Sequence, residues 1–227
     1  TAAQALPRMP TCDAEAGPAG TPNLPRKRLP MRPLALMILS AALAAPLAAA
    51  AGPSLLTNGS FEDGSTLGNN SWTIVNNLPG WQGATNRGIE LRRNAVGTAQ
   101  DGEHFVELDT TGNSWMTQSV GTELGVTYTL NWYYSPRAGI GLASNTIEVY
   151  WNGVLVETNN GNGTGHGNHQ WQLFSADLVG TGGMDTLRFA AAGTSDSYGG
   201  SLDNISLVRA PAQADVPEPA SLRSEEH

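Results

Sequence analysis

Cysteine and lysine are almost missing from this sequence. Its 227 residues include one cysteine, Cys12, and one lysine, Lys27, both within the first thirty residues. The rest of the chain therefore has no disulfide, no thiolate metal site and no thiol nucleophile. Fourteen acidic residues stand against six arginines between Leu55 and Arg209. Because a phosphate backbone is bound by clustered lysine and arginine, a nucleic-acid partner is excluded.

A sustained helical period of apolar residues is also missing after Leu55. With 27 glycines and little lysine, a helical bundle is disfavoured. Short alternating runs recur instead between clusters of glycine, asparagine and aspartate, which predicts an all-β sandwich or barrel. Strands are predicted at 55–58, 72–75, 88–91, 104–109, 115–120, 127–134, 146–151, 154–158, 170–176, 185–191 and 201–208.

Period-2 alternation also predicts which side chains are buried. In the run from Thr127 to Tyr134, one face carries Tyr128, Leu130, Trp132 and Tyr134, and this face is expected in the core. The same argument adds Ile147, Val149, Trp151, Leu187 and Phe189. Between two such runs, Asn152-Gly153 predicts a tight hairpin whose two turn residues have positive φ.

The chain begins with a segment typical of processing rather than of folding. Basic residues at Arg26, Lys27, Arg28 and Arg32 precede the apolar stretch from Leu34 and an alanine-rich end at Ala51. This pattern predicts a secretory signal peptide over 31–51, with a membrane anchor as the alternative. Residues 1–30 are interpreted as an upstream read-through or a disordered leader.

The other end carries the motif Val216-Pro217-Glu218-Pro219-Ala220-Ser221 in a proline-rich tail over 210–227. The motif resembles the PEP-CTERM sorting signal of exosortase-bearing bacteria. In that family an apolar helix follows the motif, whereas Leu222-Arg-Ser-Glu-Glu-His227 follows it here, so no stable membrane insertion is expected after signal cleavage. The resemblance implies a secreted or cell-surface protein of a Gram-negative, exopolysaccharide-producing bacterium.

A second resemblance covers residues 55–209. It is carried by the opening Leu56-Thr-Asn-Gly-Ser-Phe-Glu62, by Pro79-Gly-Trp81, by Gly102-Glu-His-Phe-Val-Glu-Leu-Asp109 and by the closing Gly200-Ser-Leu-Asp-Asn-Ile-Ser-Leu207. These motifs, in this order, resemble the galactose-binding-like jelly roll of many carbohydrate-binding modules. They are similar to its cell-wall-associated branch. The resemblance implies a jelly-roll β-sandwich that binds a polysaccharide or other glycan.

Two acidic residues near the ends of this domain, Glu62 and Asp203, match positions that hold a structural calcium in related modules. A jelly roll brings its first and last strands together, so two carboxylates and nearby carbonyls can converge on a hard cation. The resemblance therefore implies Ca²⁺ at this corner. The alternative is that both carboxylates cap turns or accept backbone N–H groups.

Six tryptophans and five tyrosines in a lightly charged β-domain suit sugar binding, because sugar rings stack on aromatic faces while polar groups bind hydroxyls. Packing in the core is the alternative for each ring. Arg137, at a strand end, is a candidate for a ligand oxygen or for an ion pair. The aromatic ligand candidates are Trp81, Trp115, Tyr133, Tyr150 and Tyr198.

Glu107 and Asp109 share one face of a predicted strand. Paired carboxylates serve glycosidases, but they also bind sugar hydroxyls or face solvent. His166 and His169 lie in a glycine- and asparagine-rich run without a third zinc ligand in view. The leading hypothesis is a non-catalytic carbohydrate-binding domain. The alternatives are a structural or adhesive protein that binds other proteins, and a small glycan-active hydrolase or lyase.

Signal cleavage gives the first testable prediction. Expressed from Met31 in a Gram-negative host, the protein should lose residues up to about Ala50 or Ala51 and leave the cytoplasm. N-terminal sequencing of the exported product measures this. Soluble cytoplasmic protein that retains Met31 would contradict the prediction.

Overall fold

The computed structural model describes residues 52–211. The leader at 1–30, the signal peptide at 31–51 and the tail beyond residue 211 lie outside the described residues, so these predictions stay predictions. Within 52–211 the chain forms two six-stranded sheets, and a single 3₁₀ turn, Leu142–Ser144, is the helical element. No helix in this range is long and apolar enough to cross a membrane.

Both sheets are antiparallel throughout. The first sheet contains, in spatial order, β1 (Ser71–Val75), β4 (Ile89–Arg93), β5 (His104–Glu107), β12 (Ser201–Arg209), β7 (Thr127–Ser135) and β10 (Gln172–Val179). The second contains β2 (Asn77–Leu78), β3 (Trp81–Gly83), β6 (Trp115–Gly121), β11 (Met184–Ala191), β8 (Ile147–Trp151) and β9 (Val154–Asn159). Most consecutive strands change sheet, so the predicted all-β jelly-roll sandwich is confirmed.

Ten of the eleven predicted strands coincide with observed strands. The prediction at 55–58 is wrong because the chain bends there, with positive φ at Asn58 (53°) and Phe61 (59°). Leu55 N still donates to Leu207 O at 2.8 Å, and Ile205 N donates to Gly59 O at 2.9 Å. The opening segment therefore lies beside β12, as expected for a jelly roll, without forming a ladder of its own.

The hairpin prediction is confirmed. Asn152 and Gly153 connect β8 to β9 with φ of 51° and 80°. These values match a turn whose twist suits antiparallel strands. The Asn152 side chain also donates to Asp185 Oδ1 at 2.9 Å and accepts from Thr186 N at 2.8 Å, so it fastens the turn to β11.

The predicted core is confirmed as well, since every aromatic and aliphatic residue assigned to it by alternation is buried. Trp132 stacks on Phe174 with ring centroids 5.8 Å apart. Phe189 meets Trp132 edge-on at 6.0 Å and Trp81 edge-on at 6.3 Å. Trp132 Nε1 donates to Asn159 Oδ1 at 2.8 Å, so its one polar atom is satisfied. The rings thus join the two sheets face to face.

Replacing Phe189 tests this aromatic centre. Phe189 is fully buried, so Phe189→Ala leaves a cavity and should lower the free energy of unfolding by about 3 to 5 kcal/mol. Urea denaturation measures the change. Val154→Ala, at a side chain 68% exposed, is the control and should stay within about 0.5 kcal/mol of the parent. Equal losses in both variants would contradict the prediction.

Candidate binding groove on the first sheet

A groove of about 320 Å³ opens on the outer face of the first sheet. β1 and β4 pair with Trp72 opposite Arg92 and Ile74 opposite Glu90. Because side chains alternate along a strand, these four face outward while Ile89 and Leu91 enter the core. The floor is formed by Glu90, Arg92 and Arg137, and the walls by Trp72, Ile74, Val96, Thr110, Thr111, Ser197 and Tyr198.

Two arginines and two glutamates form a buried ion network at this floor. Arg137 Nη1 lies 2.7 Å and 2.9 Å from the two carboxylate oxygens of Glu107. Arg92 Nη2 pairs with Glu90 Oε1 and lies 3.3 Å from Glu107 Oε2. Their side chains are at most 12% exposed, and buried charges persist only when they are paired. The network therefore holds both guanidinium groups in fixed positions.

Burial opposes ionisation of both glutamates. It raises the pKa of Glu107 to about 7, against the lowering effect of Arg92 and Arg137, and it also raises the pKa of Glu90. With both carboxylates ionised, the two negative charges balance the two guanidinium charges. The groove floor then carries no net charge.

The loop before β12 carries Tyr198, which with Trp72 is one of the two aromatic side chains in the groove walls. Asp109 Oδ2 accepts from Asp196 N at 2.9 Å and from Ser197 N at 3.1 Å. Glu107 Oε1 accepts from Gly199 N at 3.0 Å. Ser197 has a φ of 67°, a strained value for a residue with a side chain, and these bonds hold it there. These hydrogen bonds fix the position of Tyr198, which lies between Ser197 and Gly199 in the chain.

Tyr198 is 45% exposed and its ring lies over a cation. The Arg137 guanidinium carbon is 4.7 Å from the ring centroid, within the range of a cation–π contact. Trp72, 56% exposed, also lines the groove. Large aromatic side chains are usually packed, so two exposed ones on a single groove are an informative feature.

Arg92 also keeps a donor that the protein does not use. Its Nε atom is buried and finds no hydrogen-bond acceptor among residues 52–211. An unpaired buried donor is costly, so the described residues leave Arg92 with one unsatisfied polar atom beneath the groove.

Four of the predicted ligand residues thus come together at the groove. Arg137 and Tyr198 line it, whereas Glu107 and Asp109 lie beneath it, 1% and 0% exposed. The expectation that these two acids reach a ligand is corrected: they hold Arg137 and the loop of Tyr198.

The other four aromatic candidates, Trp81, Tyr133, Trp115 and Tyr150, lie elsewhere, the last two on the second sheet. Trp81 was expected at the ligand and is instead 2% exposed, with Nε1 donating to Asn58 O at 3.1 Å and its ring 6.0 Å from Phe61. β3 begins at Trp81 and turns the ring inward. Tyr133 is on the outer face of the first sheet, outside the groove lining, and Trp115 is on the second sheet.

Trp72 and Arg92 were missed as ligand candidates. Trp72 and Ile74 alternate like core residues, and only the pairing of β1 with β4 shows that this face is the outer one. The sequence signal that was available is the run Ile89-Glu-Leu-Arg, in which charged residues alternate with apolar ones.

Glu62 and Asp203 both bind the loop at 100–104, but they do so through N–H donors. Glu62 Oε1 accepts from Glu103 N (2.8 Å) and His104 N (2.7 Å), and Oε2 lies 2.6 Å from His104 Nδ1. Asp203 accepts from Gln100 N (2.7 Å), Asp101 N (3.0 Å) and Asn204 N (2.7 Å). Burial nevertheless raises the pKa of Asp203 to about 7.

Each carboxylate already accepts three hydrogen bonds, so a cation bound at this corner would have to displace some of these donors. Within residues 52–211 no group of three histidine or acidic side chains is placed to hold a metal ion. The geometry matches the alternative reading, in which Glu62 and Asp203 accept backbone N–H groups. Calcium at this corner stays a prediction.

His169 lies beside the groove floor as a structural residue. Its ring meets Phe105 edge-on at 4.6 Å and lies 4.8 Å from Trp171. Nδ1 is 3.1 Å from Thr98 O and Nε2 is 3.1 Å from Ser201 Oγ. Since a carbonyl can only accept, Nδ1 carries the hydrogen and Nε2 accepts from the serine hydroxyl. His169 therefore fastens the loop before β10 to the sheet.

Comparisons with known proteins add the following. No family model matches the chain, and no curated protein matches it. A family 35 carbohydrate-binding module from Clostridium thermocellum is 17% identical, with 62% of this chain and 99% of that chain covered and a TM-score of 0.41. TmCBM61, solved with β-1,4-galactotriose, is 18% identical, with 70% and 100% covered and a TM-score of 0.42.

The K1 cleaved adhesin domain of Lys-gingipain from Porphyromonas gingivalis is 13% identical, with 63% of this chain and 99% of that chain covered and a TM-score of 0.45. The assignment of a jelly-roll sandwich rests on the strand order of this chain itself. What the fold and the site define together is a β-sandwich with an aromatic-walled groove above a buried ion network.

The titration of His169 tests the packing beside the groove. Burial lowers the pKa of His169 from 6.5 to about 4. The folded protein therefore binds fewer protons than the unfolded chain between these values, and this contribution to stability is complete above pH 6.5 and lost towards pH 4. NMR titration of a His166→Gln variant, which removes the exposed histidine of the same loop, should show the His169 ring neutral down to about pH 4. A midpoint near 6.5 would contradict the buried position.

Proposed function

We propose that this protein is a non-catalytic carbohydrate-binding module whose ligand lies in the groove on the first sheet. The observation that carries the proposal is that two exposed aromatic side chains, Trp72 and Tyr198, line the same groove as the buried Arg92. The Nε donor of Arg92 has no partner within the described residues. A sugar ring offers an apolar C–H face to an aromatic ring and hydroxyl oxygens to a donor. The groove supplies the aromatic faces through Trp72 and Tyr198, and Arg92 and Arg137 bring guanidinium donors to its floor.

The balanced charge of the floor favours a neutral glycan. While Glu90 and Glu107 are both ionised they compensate Arg92 and Arg137, so an anionic or cationic ligand gains little net attraction. The groove is also too shallow to enclose a ligand fully. A shallow groove suits a short part of a longer polysaccharide. An affinity in the micromolar to millimolar range corresponds to about 4 to 8 kcal/mol of binding free energy.

A hydrolase is the less suitable function for this groove. A glycosidase needs two carboxyl groups that reach the scissile bond. Glu107 and Asp109 lie beneath the floor and accept hydrogen bonds from Arg137, Gly199 and the loop at 196–197. Of the acidic residues, Glu90 alone lines the groove, and Arg92 neutralises it.

The proposed setting is outside the cell. The predicted signal peptide at 31–51 and the PEP motif at 216–221 both indicate export, and a matrix or cell-surface polysaccharide is the ligand that such a location offers. Export and ligand class are separate parts of the proposal, since the sequencing of the N-terminus tests one and binding tests the other.

Binding to an array of neutral polysaccharides, including a β-1,4-galactan, tests the proposal. Trp72→Ala and Tyr198→Ala should each weaken binding about tenfold, the loss of roughly 1.4 kcal/mol of aromatic contact. Calorimetry measures the affinity, and circular dichroism checks that each variant folds. Leu173→Ala is the matched control, since Leu173 is 57% exposed on the same sheet face outside the groove.

The result that would overturn the proposal is equally specific. Parent-like binding by both folded aromatic variants would place the ligand away from the groove. Failure of the parent to bind any glycan of the array would favour the structural or adhesive alternative, in which the same exposed rings contact another protein.

A further inference from the structure

The second sheet presents its own row of polar and aromatic side chains on the face turned away from the core. Cross-strand pairing places Asn77 opposite Gln82, Gln82 opposite Thr117, Thr117 opposite Arg188 and Arg188 opposite Tyr150. The row thus crosses β2, β3, β6, β11 and β8 in a single register. We call these five residues together with Trp115 the second-sheet platform.

Arg188 stands between two aromatic rings at the centre of the platform. Its guanidinium carbon is 5.1 Å from the Trp115 ring centroid and 5.7 Å from the Tyr150 ring centroid. Among residues 52–211, the ion pairs of the arginines do not include Arg188. An exposed guanidinium held by two rings, with no carboxylate on its donors, is oriented and still free to bind an oxygen.

A cavity of about 280 Å³ lies at the other end of the platform. Asn76, Asn77, Gln82 and Asn86 contribute to its lining, and all four are exposed. Each amide has two donor hydrogens and an acceptor oxygen. Such a lining matches a ligand in which every polar group both donates and accepts, and that is the chemistry of a sugar hydroxyl.

We propose that the second-sheet platform is a second glycan-binding surface, which takes an extended, uncharged polysaccharide chain. Trp115 and Tyr150 offer faces for sugar rings, while Arg188 and the amides bind hydroxyls. The row itself carries one charged residue, Arg188, and Glu148 on β8 carries the opposite charge two residues from Tyr150. Glu148 Oε2 already accepts the Tyr150 hydroxyl at 2.5 Å. This balance matches a neutral ligand.

The dimensions of the platform favour a chain over a single sugar. Four steps between neighbouring strands, at about 4.8 Å each, separate Asn77 from Tyr150 by roughly 19 Å. The residues lie on strands that do not contribute to the groove of the first sheet. The platform therefore goes beyond the proposed function: it gives the domain a second site on the opposite sheet.

Two sites on opposite sheets allow one domain to join two polysaccharide chains. Each site binds its own chain, because the buried core separates them and a single extended chain lies on one sheet face at a time. The gain in retention then comes from multivalency along the polymers and needs no contact between domains.

Native affinity gels containing hydroxyethylcellulose, galactomannan or β-1,4-galactan test the proposal on the whole chain. The platform variant carries Trp115→Ala and Arg188→Ala, and the groove variant carries Trp72→Ala and Tyr198→Ala. Arg209→Ala is the matched control for charge, because Arg209 is an exposed arginine at the end of β12 that pairs with Glu123. Thermal melting confirms that each variant folds.

The expected result has three parts. On a polysaccharide that retards the parent, each two-residue variant should lose at least tenfold in affinity and keep residual retardation, the combined four-residue variant should lose retardation, and Arg209→Ala should match the parent. The parent should also raise the viscosity of the dissolved polysaccharide by bridging chains, and either two-residue variant should not.

Different outcomes overturn different claims. A platform variant that binds and bridges like the parent overturns the second site, while leaving the groove intact if the groove variant loses binding. A groove variant that binds like the parent while the platform variant does not overturns the proposed function and keeps the platform. A parent that no gel retards overturns both.

Discussion

Glu107 is a fully buried carboxylate whose oxygens are shared between two guanidinium groups and a backbone N–H. Arg137 and Arg92 approach it from one side and Gly199 N from another. Removing the carboxylate would leave the largely buried Arg137 without an ionic partner and Arg92 with Glu90 alone, which costs far more than the pair itself contributes. The floor of the groove, the stacking of Tyr198 and the path of the loop before β12 all depend on this one side chain.

Such a network is not the most stabilising way to fill the outer face of a sheet. Well-packed apolar residues of similar volume often stabilise a fold more than a buried ion network does. The core between the sheets is packed in this apolar way, with Trp132, Phe189 and Trp81 in edge-on contact. The charged cluster at β4 and β5 is not packed in this apolar way. It provides a fixed guanidinium with an unused donor, which a stable sandwich alone does not require.

The parts of the structure that the sequence predicts are those set by neighbours along the chain. Alternation located most strands and the core of β7, and Asn152-Gly153 located a hairpin, because these signals act over a few residues. β2 and β3 are too short to show alternation, and the stretch 55–58 attaches to β12 without a ladder. The groove depends on registers between distant strands, which no local pattern specifies.

The two proposed surfaces are held in place by different interactions within the same sandwich. The groove is a pocket fixed from below by buried charges, whereas the platform is a row of side chains fixed by the cross-strand pairing of five strands. Neither needs a moving element, since both are built on paired strands and on rings held by cations. The two sites lie on separate sheets and share no residue, and the described structure contains no element that links them. Cooperativity in binding is then expected from the polymer, whose repeated sugars present many sites to a domain with two faces.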